Sequence, residues 1–267
     1  MGRKIRIIIM IAALLVFLGS GGAVLVIQNN YRASRQGYAD AAAEYTQRLE
    51  NNGGTGGGAA SGDGAGGGAA STGEAEQPPV TVDFERLQKD NPQVVAWLCC
   101  PGTDIDYPVM QGEDNDFYLH HSYTGAEDQS GAIFVDAQCA PGFADSNSVI
   151  YGHSMKDGSM FGGLEAWKEQ GYYEEHPVMW LLTPDASYRV RLFSGYTTSA
   201  YSETYTIFRG PGSDLEAYLA GCLARSDFTA GEELPGDGRY VVLSTCAYDF
   251  DEARYVLHGR LEKINTQ

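Results

Sequence analysis

Residues 51–78 are nearly all Gly, Ala, Ser and Thr, and this segment most limits what the chain can become. Such a composition buries no core and behaves as a flexible coil. At 28 residues it predicts a tether with a root-mean-square reach of about 30 Å. It also divides the chain. Residues 1–28 hold a basic tip and an apolar run. Residues 29–50, rich in Ala, Glu, Gln and Arg, read as a helix. Residues 79–267 are left to form the one folded domain, starting near Pro79.

The apolar run, Ile7 to Ile27, has 21 positions without a charge. About 20 such residues span a bilayer core as a helix. Arg3, Lys4 and Arg6 precede it, which places the N-terminus in the cytoplasm and everything after residue 28 outside. The expectation is a single-pass anchor in the cell membrane. A cleaved signal peptide is the competing reading, because Gly19-Ser-Gly-Gly-Ala23 offers small residues for cleavage. Val24-Leu-Val-Ile27 stays apolar beyond that point, unlike a mature N-terminus.

Charge narrows the partners. The first 78 residues carry 6 basic and 6 acidic side chains, so the net charge of -17 belongs wholly to the domain beyond them. A surface so acidic repels phosphate backbones, which argues against nucleic acid as a partner.

Within 79–267 the hydrophobic pattern is mostly of period two. VDFERLQKDNPQ reads as a short helix stopped by Asn91-Pro92. Then come VVAWLCC, IDYPVMQ, FYLHHSY, GAIFVDA, NSVIYGH, VMWLLT, YRVRLFSGYTTS, RYVVLSTC and RYVLHGRL, read as short strands broken by turns. Short strands at this density predict a mainly β domain, a sandwich or a closed barrel, with added helices. One helix is expected near 160–170. The other is DLEAYLAGCLARS, where Leu215, Tyr218, Leu219, Cys222 and Leu223 form a core-facing stripe.

Five cysteines stand at 99, 100, 139, 222 and 246, an odd number that leaves one thiol unpaired within a single chain. Cys99 and Cys100 face opposite ways on a strand and do not suit each other as partners. None has zinc-site spacing, and the chemistry calls for no metal or organic cofactor. Cys246 ends one strand, and Arg254 opens the next after the loop AYDFDEA. Antiparallel pairing sets them opposite, with Cβ atoms about 5 Å apart. A cation there favours a thiolate or steadies an oxyanion. A buried core cysteine beside a surface arginine is the bland alternative. A nucleophilic cysteine needs a proton-transfer partner. Of the histidines, 120, 121 and 176 read as surface residues. His258 lies deeper on the Arg254 face, where it either approaches the site or packs. His153 follows Gly152 at the end of NSVIYGH, placed for a cleft at a barrel rim.

These pieces together resemble a class B sortase, a membrane-anchored cysteine transpeptidase of Gram-positive bacteria. The resemblance spans about residues 82–263. It is carried by NPQVVAWLCCPGTDIDYPVMQGEDNDFYLHH, SGAIFVDAQC, NSVIYGHSMKDGSMFGGL and LSTCAYDFDEARYVLHGRL. It implies a closed eight-stranded β-barrel with added helices. It implies Cys246 as nucleophile, His153 as proton-transfer group and Arg254 as oxyanion partner. Ser244, Thr245, Tyr151, Asn115 and Leu119 match positions near the substrate groove. The expected reaction cleaves a C-terminal sorting motif of secreted proteins after Thr. The acyl group then passes to an amine of the cell-wall precursor or, in a pilus-type enzyme, to a pilin Lys. One position departs from the pattern: Ala247 stands where class B enzymes often carry Glu or another polar residue. A Cys-His hydrolase is disfavoured, since His153 precedes Cys246 and no QACxG-type signature is present. A tethered surface binding module remains the non-enzymatic alternative.

Overall fold

A computed structural model describes residues 3–49 and 77–264, and over much of 3–23 the backbone alone. Eight strands close into a barrel. In chain order they are β3 (Val94–Cys99), β4 (Asp106–Met110), β5 (Ile133–Val135), β6 (Asn147–Tyr151), β7 (Val178–Leu182), β8 (Ser187–Ser199), β9 (Arg239–Cys246) and β10 (Ala253–Ile264). Around the barrel the order is β10-β8-β7-β3-β4-β5-β6-β9. Two contacts are parallel, β4 with β5 and β6 with β9. The mainly β, closed eight-stranded architecture expected from the sequence is therefore present.

The period-two pattern sorts side chains into layers. Ala96, Val109, Ile133, Ile150, Leu181, Leu192, Val241 and Leu257 come one from each strand and share a single buried cluster, the barrel interior. Alternate residues point outward under helices. Trp97, Met110, Phe134 and Trp180 form a second cluster, and Val149, Phe193, Val242 and Val256 a third. Cys99 joins the second cluster and Cys100 the first, so the adjacent thiols do face apart. All five cysteines are free thiols.

Helix α5 (Ser213–Arg225) covers the third cluster with Leu215, Tyr218, Leu219 and Cys222, as its stripe predicts. Leu223, the last member of that stripe, is instead exposed. His258 is fully buried beneath α5. Its ring stacks on Tyr196 at 5.1 Å, and its Nε2 lies 3.2 Å from the Tyr218 hydroxyl. It packs and does not reach the Cys246 cleft.

Two segments depart from expectation. FYLHHSY is not a strand: Phe117–His120 form a helical turn, α3. The Asp114 carboxylate accepts from the N–H groups of Asp116 and Phe117, which satisfies the orphan donors of a helix start. The larger departure is at the N-terminus. The helix expected over 29–50 is part of α1 (Arg3–Tyr45), and Thr46–Arg48 then form strand β1, paired antiparallel with β2 (Val80–Val82). Tyr38, Ala41 and Tyr45 are buried against the barrel side. Tyr38 packs edge-on against Tyr107 and donates a hydrogen bond of 2.6 Å to the Gly131 carbonyl. Tyr45 bonds Asp90 of α2 (Phe84–Asp90). Exposed ion pairs, Arg35–Asp104 and Arg86–Glu44, flank this contact. Such pairs contribute about 0–1 kcal/mol each, against about 1.5–3 kcal/mol for each large side chain buried. The aromatic stripe therefore decides the docking. The second half of α1 thus packs against the barrel that follows the glycine-rich segment.

Residues 50–76 lie outside the described residues, as do most side chains of the apolar run. Among the described residues no helix is long and apolar enough to cross a membrane.

Burial pushes the His258 pKa down to about 3. The unfolded chain protonates this ring near pH 6.5, whereas the folded protein keeps it neutral. Stability is thus unaffected above that pH and falls as pH drops below it toward 3. Between pH 7 and pH 5 the loss from this one group is about 2 kcal/mol. Urea unfolding of the protein and its His258→Gln variant at both pH values measures it. The variant should show a smaller acid-induced loss by that amount.

Candidate functional site

β9 is the strand that gathers the site. It pairs with β10 in a register that sets Cys246 opposite Arg254, as the hairpin spacing predicts. On its other edge it runs parallel to β6, which sets Ser244 beside Tyr151. The Gly152 N–H continues that ladder to the Ser244 carbonyl at 3.1 Å. His153 is the next residue. Gly152 is required there, because a Cβ would come within 2.5 Å of Ile133 Cδ1 and 2.7 Å of the Phe161 ring. Beyond His153 the chain folds back, and the Phe161 N–H bonds the His153 carbonyl at 3.0 Å. The imidazole is thus mounted on backbone fixed at both sides.

Cys246, His153 and Arg254 line one cleft of about 430 Å³. Asn115, Leu119, Tyr151, Ser244 and Thr245 line the same cleft, so all eight residues singled out in the sequence meet there. A larger, open groove of about 670 Å³ between α1 and residues 120–129 contains no cysteine. Among the described residues no three His, Cys, Asp or Glu side chains converge as metal ligands do.

Hydrogen bonds fix the orientation of these groups. His153 Nε2 lies 2.7 Å from the Leu119 carbonyl oxygen. A carbonyl only accepts, so Nε2 carries the hydrogen and Nδ1 is the ring atom free to take up or release a proton. Leu119 is held in turn by Gly131, whose φ of +58° and lack of a Cβ let it lie against the carbonyls of Tyr118 and Leu119. Arg254 donates to the Ala253 carbonyl at 3.0 Å and to Glu252 at 3.2 Å. Those contacts engage two of its five N–H groups. The loop between Cys246 and Arg254 is closed by the Ala247 N–H on the Ala253 carbonyl, at 3.0 Å. Ala247 is itself buried. Cys246 is half-buried and its thiol is free.

Two further residues of this cleft were not singled out in the sequence. Tyr205, from the segment after β8, bonds Ser244 Oγ at 2.9 Å and stacks on Tyr151. Its electrostatic neighbours are Arg254 and Cys246, and burial raises its pKa. Asp136, just past β5, is buried behind the cleft. It accepts from Asn115 Nδ2 at 2.9 Å and from the Tyr151 hydroxyl at 3.0 Å. Burial and this carboxylate raise the Tyr151 pKa strongly, so the phenol stays protonated. The legible signal for Asp136 was a lone acid closing the apolar strand GAIFVDA. Tyr205 lies in a stretch without periodicity, which carries no such signal.

The arrangement combines a thiol nucleophile, an imidazole with one free nitrogen and a fixed guanidinium at the edge of a mostly apolar cleft. That set suits acyl transfer through a covalent thioester. Known proteins agree. The sortase domain family matches residues 98–262. Sortase B of Listeria monocytogenes is 38% identical over 182 residues, covering 67% of this chain and 74% of that protein. The crystal structure of sortase B from B. anthracis superposes with a TM-score of 0.69 at 27% identity, over 88% of this chain and 99% of that one. The Staphylococcus aureus sortase B–substrate complex superposes with a TM-score of 0.64 at 28% identity, over 68% and 85% of the two chains. The chain therefore belongs to the sortase family and is a cysteine transpeptidase of the sortase B kind.

Proposed function

We propose that this transpeptidase cleaves a C-terminal sorting motif of secreted proteins after a threonine and passes the acyl group to an amine of the cell-wall precursor. The Cys246 thiolate attacks the threonine carbonyl carbon. The resulting oxyanion is steadied by Arg254. His153 protonates the departing amine, the C–N bond breaks, and a thioacyl-enzyme remains. The acceptor amine then attacks the thioester, His153 takes its proton, and the thiolate leaves. The observation that carries this reading is the pairing of Cys246 with Arg254 across one hairpin, with His153 delivered to the same cleft by the parallel β6. Tyr151, Asn115, Leu119, Ser244 and Thr245 form the peptide-binding walls. The S. aureus homologue has been solved as a substrate complex, which supports reading the equivalent cleft here as a peptide site.

Delivery of substrate follows from the N-terminus. The uncharged run 7–27 behind Arg3, Lys4 and Arg6 anchors the chain in the cell membrane, with the catalytic domain outside. Proteolysis of intact protoplasts tests this. The catalytic domain should be digested from outside, and its full protection would overturn the orientation.

Mass spectrometry after incubation with a panel of sorting peptides is the direct test of the chemistry. The wild-type protein should form a thioacyl adduct on Cys246. Cys246→Ala should form none while keeping its unfolding midpoint. His153→Ala should lower turnover by at least about a thousandfold, in line with the loss of a proton-transfer group on top of its positioning. Near-normal turnover in either variant would remove that residue from the mechanism.

Arg254→Lys keeps the charge and loses the planar fork. We expect kcat/KM to fall about 10²- to 10³-fold, as on removal of an oxyanion donor. Equal rates for the two proteins would show that charge alone suffices.

A further inference from the structure

The buried carboxylate behind the cleft has one property that the reaction scheme does not use. Asp136 makes no ion pair among the described residues and is surrounded by donors. Its Oδ1 accepts from the Gln138 N–H at 2.8 Å, and its Oδ2 accepts from Asn115 Nδ2 at 2.9 Å and the Tyr151 hydroxyl at 3.0 Å. The other end of the Asn115 amide is also fixed, because its Oδ1 accepts from the Ala137 N–H at 2.7 Å. A carboxylate accepts and a backbone N–H donates, so the Asn115 amide cannot flip without facing oxygen to oxygen and N–H to N–H. Its second Nδ2–H has no partner among the described residues. The Tyr151 hydrogen is committed to Asp136, which leaves that hydroxyl with lone pairs only.

We propose that Asp136 is a positioning residue that sets the hydrogen-bond polarity of the Asn115–Tyr151 wall, so that the cleft takes a peptide amide with its carbonyl oxygen on the Asn115 N–H and its N–H on the Tyr151 oxygen. This rests on the reading of the cleft as a peptide site. It explains a carboxylate under Asn115 and Tyr151, because an amide there would have one oxygen for three donors placed on both sides and would set its NH2 against another N–H. A buried polar group satisfied by three donors also rigidifies the wall that it orients.

The test is an inversion of the pair. Asp136→Asn alone opposes two amide nitrogens and breaks the network. Adding Asn115→Asp rebuilds it with both bonds of the wall reversed. In the double variant the new amide at position 136 donates to the new carboxylate at position 115 and to the Tyr151 oxygen, and it still accepts from the Gln138 N–H. Cleavage of a set of fluorogenic pentapeptides, each with a single threonine, is compared among wild type, Asp136→Asn and the double variant. We expect Asp136→Asn to raise KM at least tenfold with kcat within about threefold of wild type, and to lower the urea midpoint. The double variant should regain the midpoint but not the KM. An unchanged KM in Asp136→Asn, or a wild-type KM in the double variant, overturns the proposal. A second readout needs no peptide. The Asn115 side-chain NH2 of ¹⁵N-labelled wild type should show one proton shifted downfield and protected from solvent exchange by Asp136, and both effects should be lost in Asp136→Asn; identical shifts and exchange rates in the two proteins overturn the locked amide. If wild type cleaves no peptide, the peptide-site reading fails, while the NH2 signals still decide whether Asp136 locks Asn115.

Discussion

The double pairing of β9 is the constraint on which the rest depends. One edge joins β10 through a hairpin with a six-residue loop, and the other joins β6 in parallel across a chain excursion that contains β7, β8 and α5. Parallel pairing needs a crossover, and here the crossover wraps the barrel before it returns. The consequence is chemical. Cys246 and Arg254 come together by local geometry, and His153 arrives from 93 residues upstream because a ladder hydrogen bond from Gly152 fixes its backbone. A slip of one residue in either register would turn Cys246 or Arg254 to the opposite face of the sheet. The interior cluster resists that slip, since Val241, Leu243, Tyr255 and Leu257 fill the barrel and would be driven outward with it.

A layered division of labour follows. Interior apolar residues hold the registers. Outer apolar residues bind α5 on one side and α1 with α2 on the other. The site occupies the rim, where the outer layer ends and polar groups gain access to both water and backbone. Its side chains are oriented by acceptors of fixed sense, the Leu119 carbonyl for His153 and the Asp136 carboxylate for Asn115 and Tyr151. Such preorganisation spends folding stability on geometry: Asp136 is desolvated with donors but, among the described residues, no counter-charge beside it, an arrangement that burial alone disfavours.

How much of this was legible depended on distance along the chain. The Cys246–Arg254 opposition was readable because a hairpin register depends on a few consecutive residues and a period of two. The α5 stripe was readable for the same reason, with a period of 3.6. The meeting of His153 with Cys246 was not, since no local rule states which distant strand lies beside β9; resemblance to the sortases supplied it. FYLHHSY misled because its apolar residues suit a short strand, and the Asp114 side chain that turns it into α3 lies outside the quoted run. Asp136 and Tyr205 stayed hidden because each acts through partners far away in sequence. The docked half of α1 stayed hidden because Tyr38, Ala41 and Tyr45 make a stripe too sparse to stand out among Ala, Glu and Arg.

That docking changes what the glycine-rich stretch can be for. Leu49 and Pro79 are hydrogen-bonded neighbours at the end of the β1–β2 ribbon, so the chain leaves and re-enters at one point. Lengthening or shortening the insert would therefore leave the position of the catalytic rim relative to α1 unchanged. With Tyr38 and Tyr45 seated on the domain, the distance from the catalytic rim to the start of α1 is set by the rise of that helix, about 1.5 Å per residue.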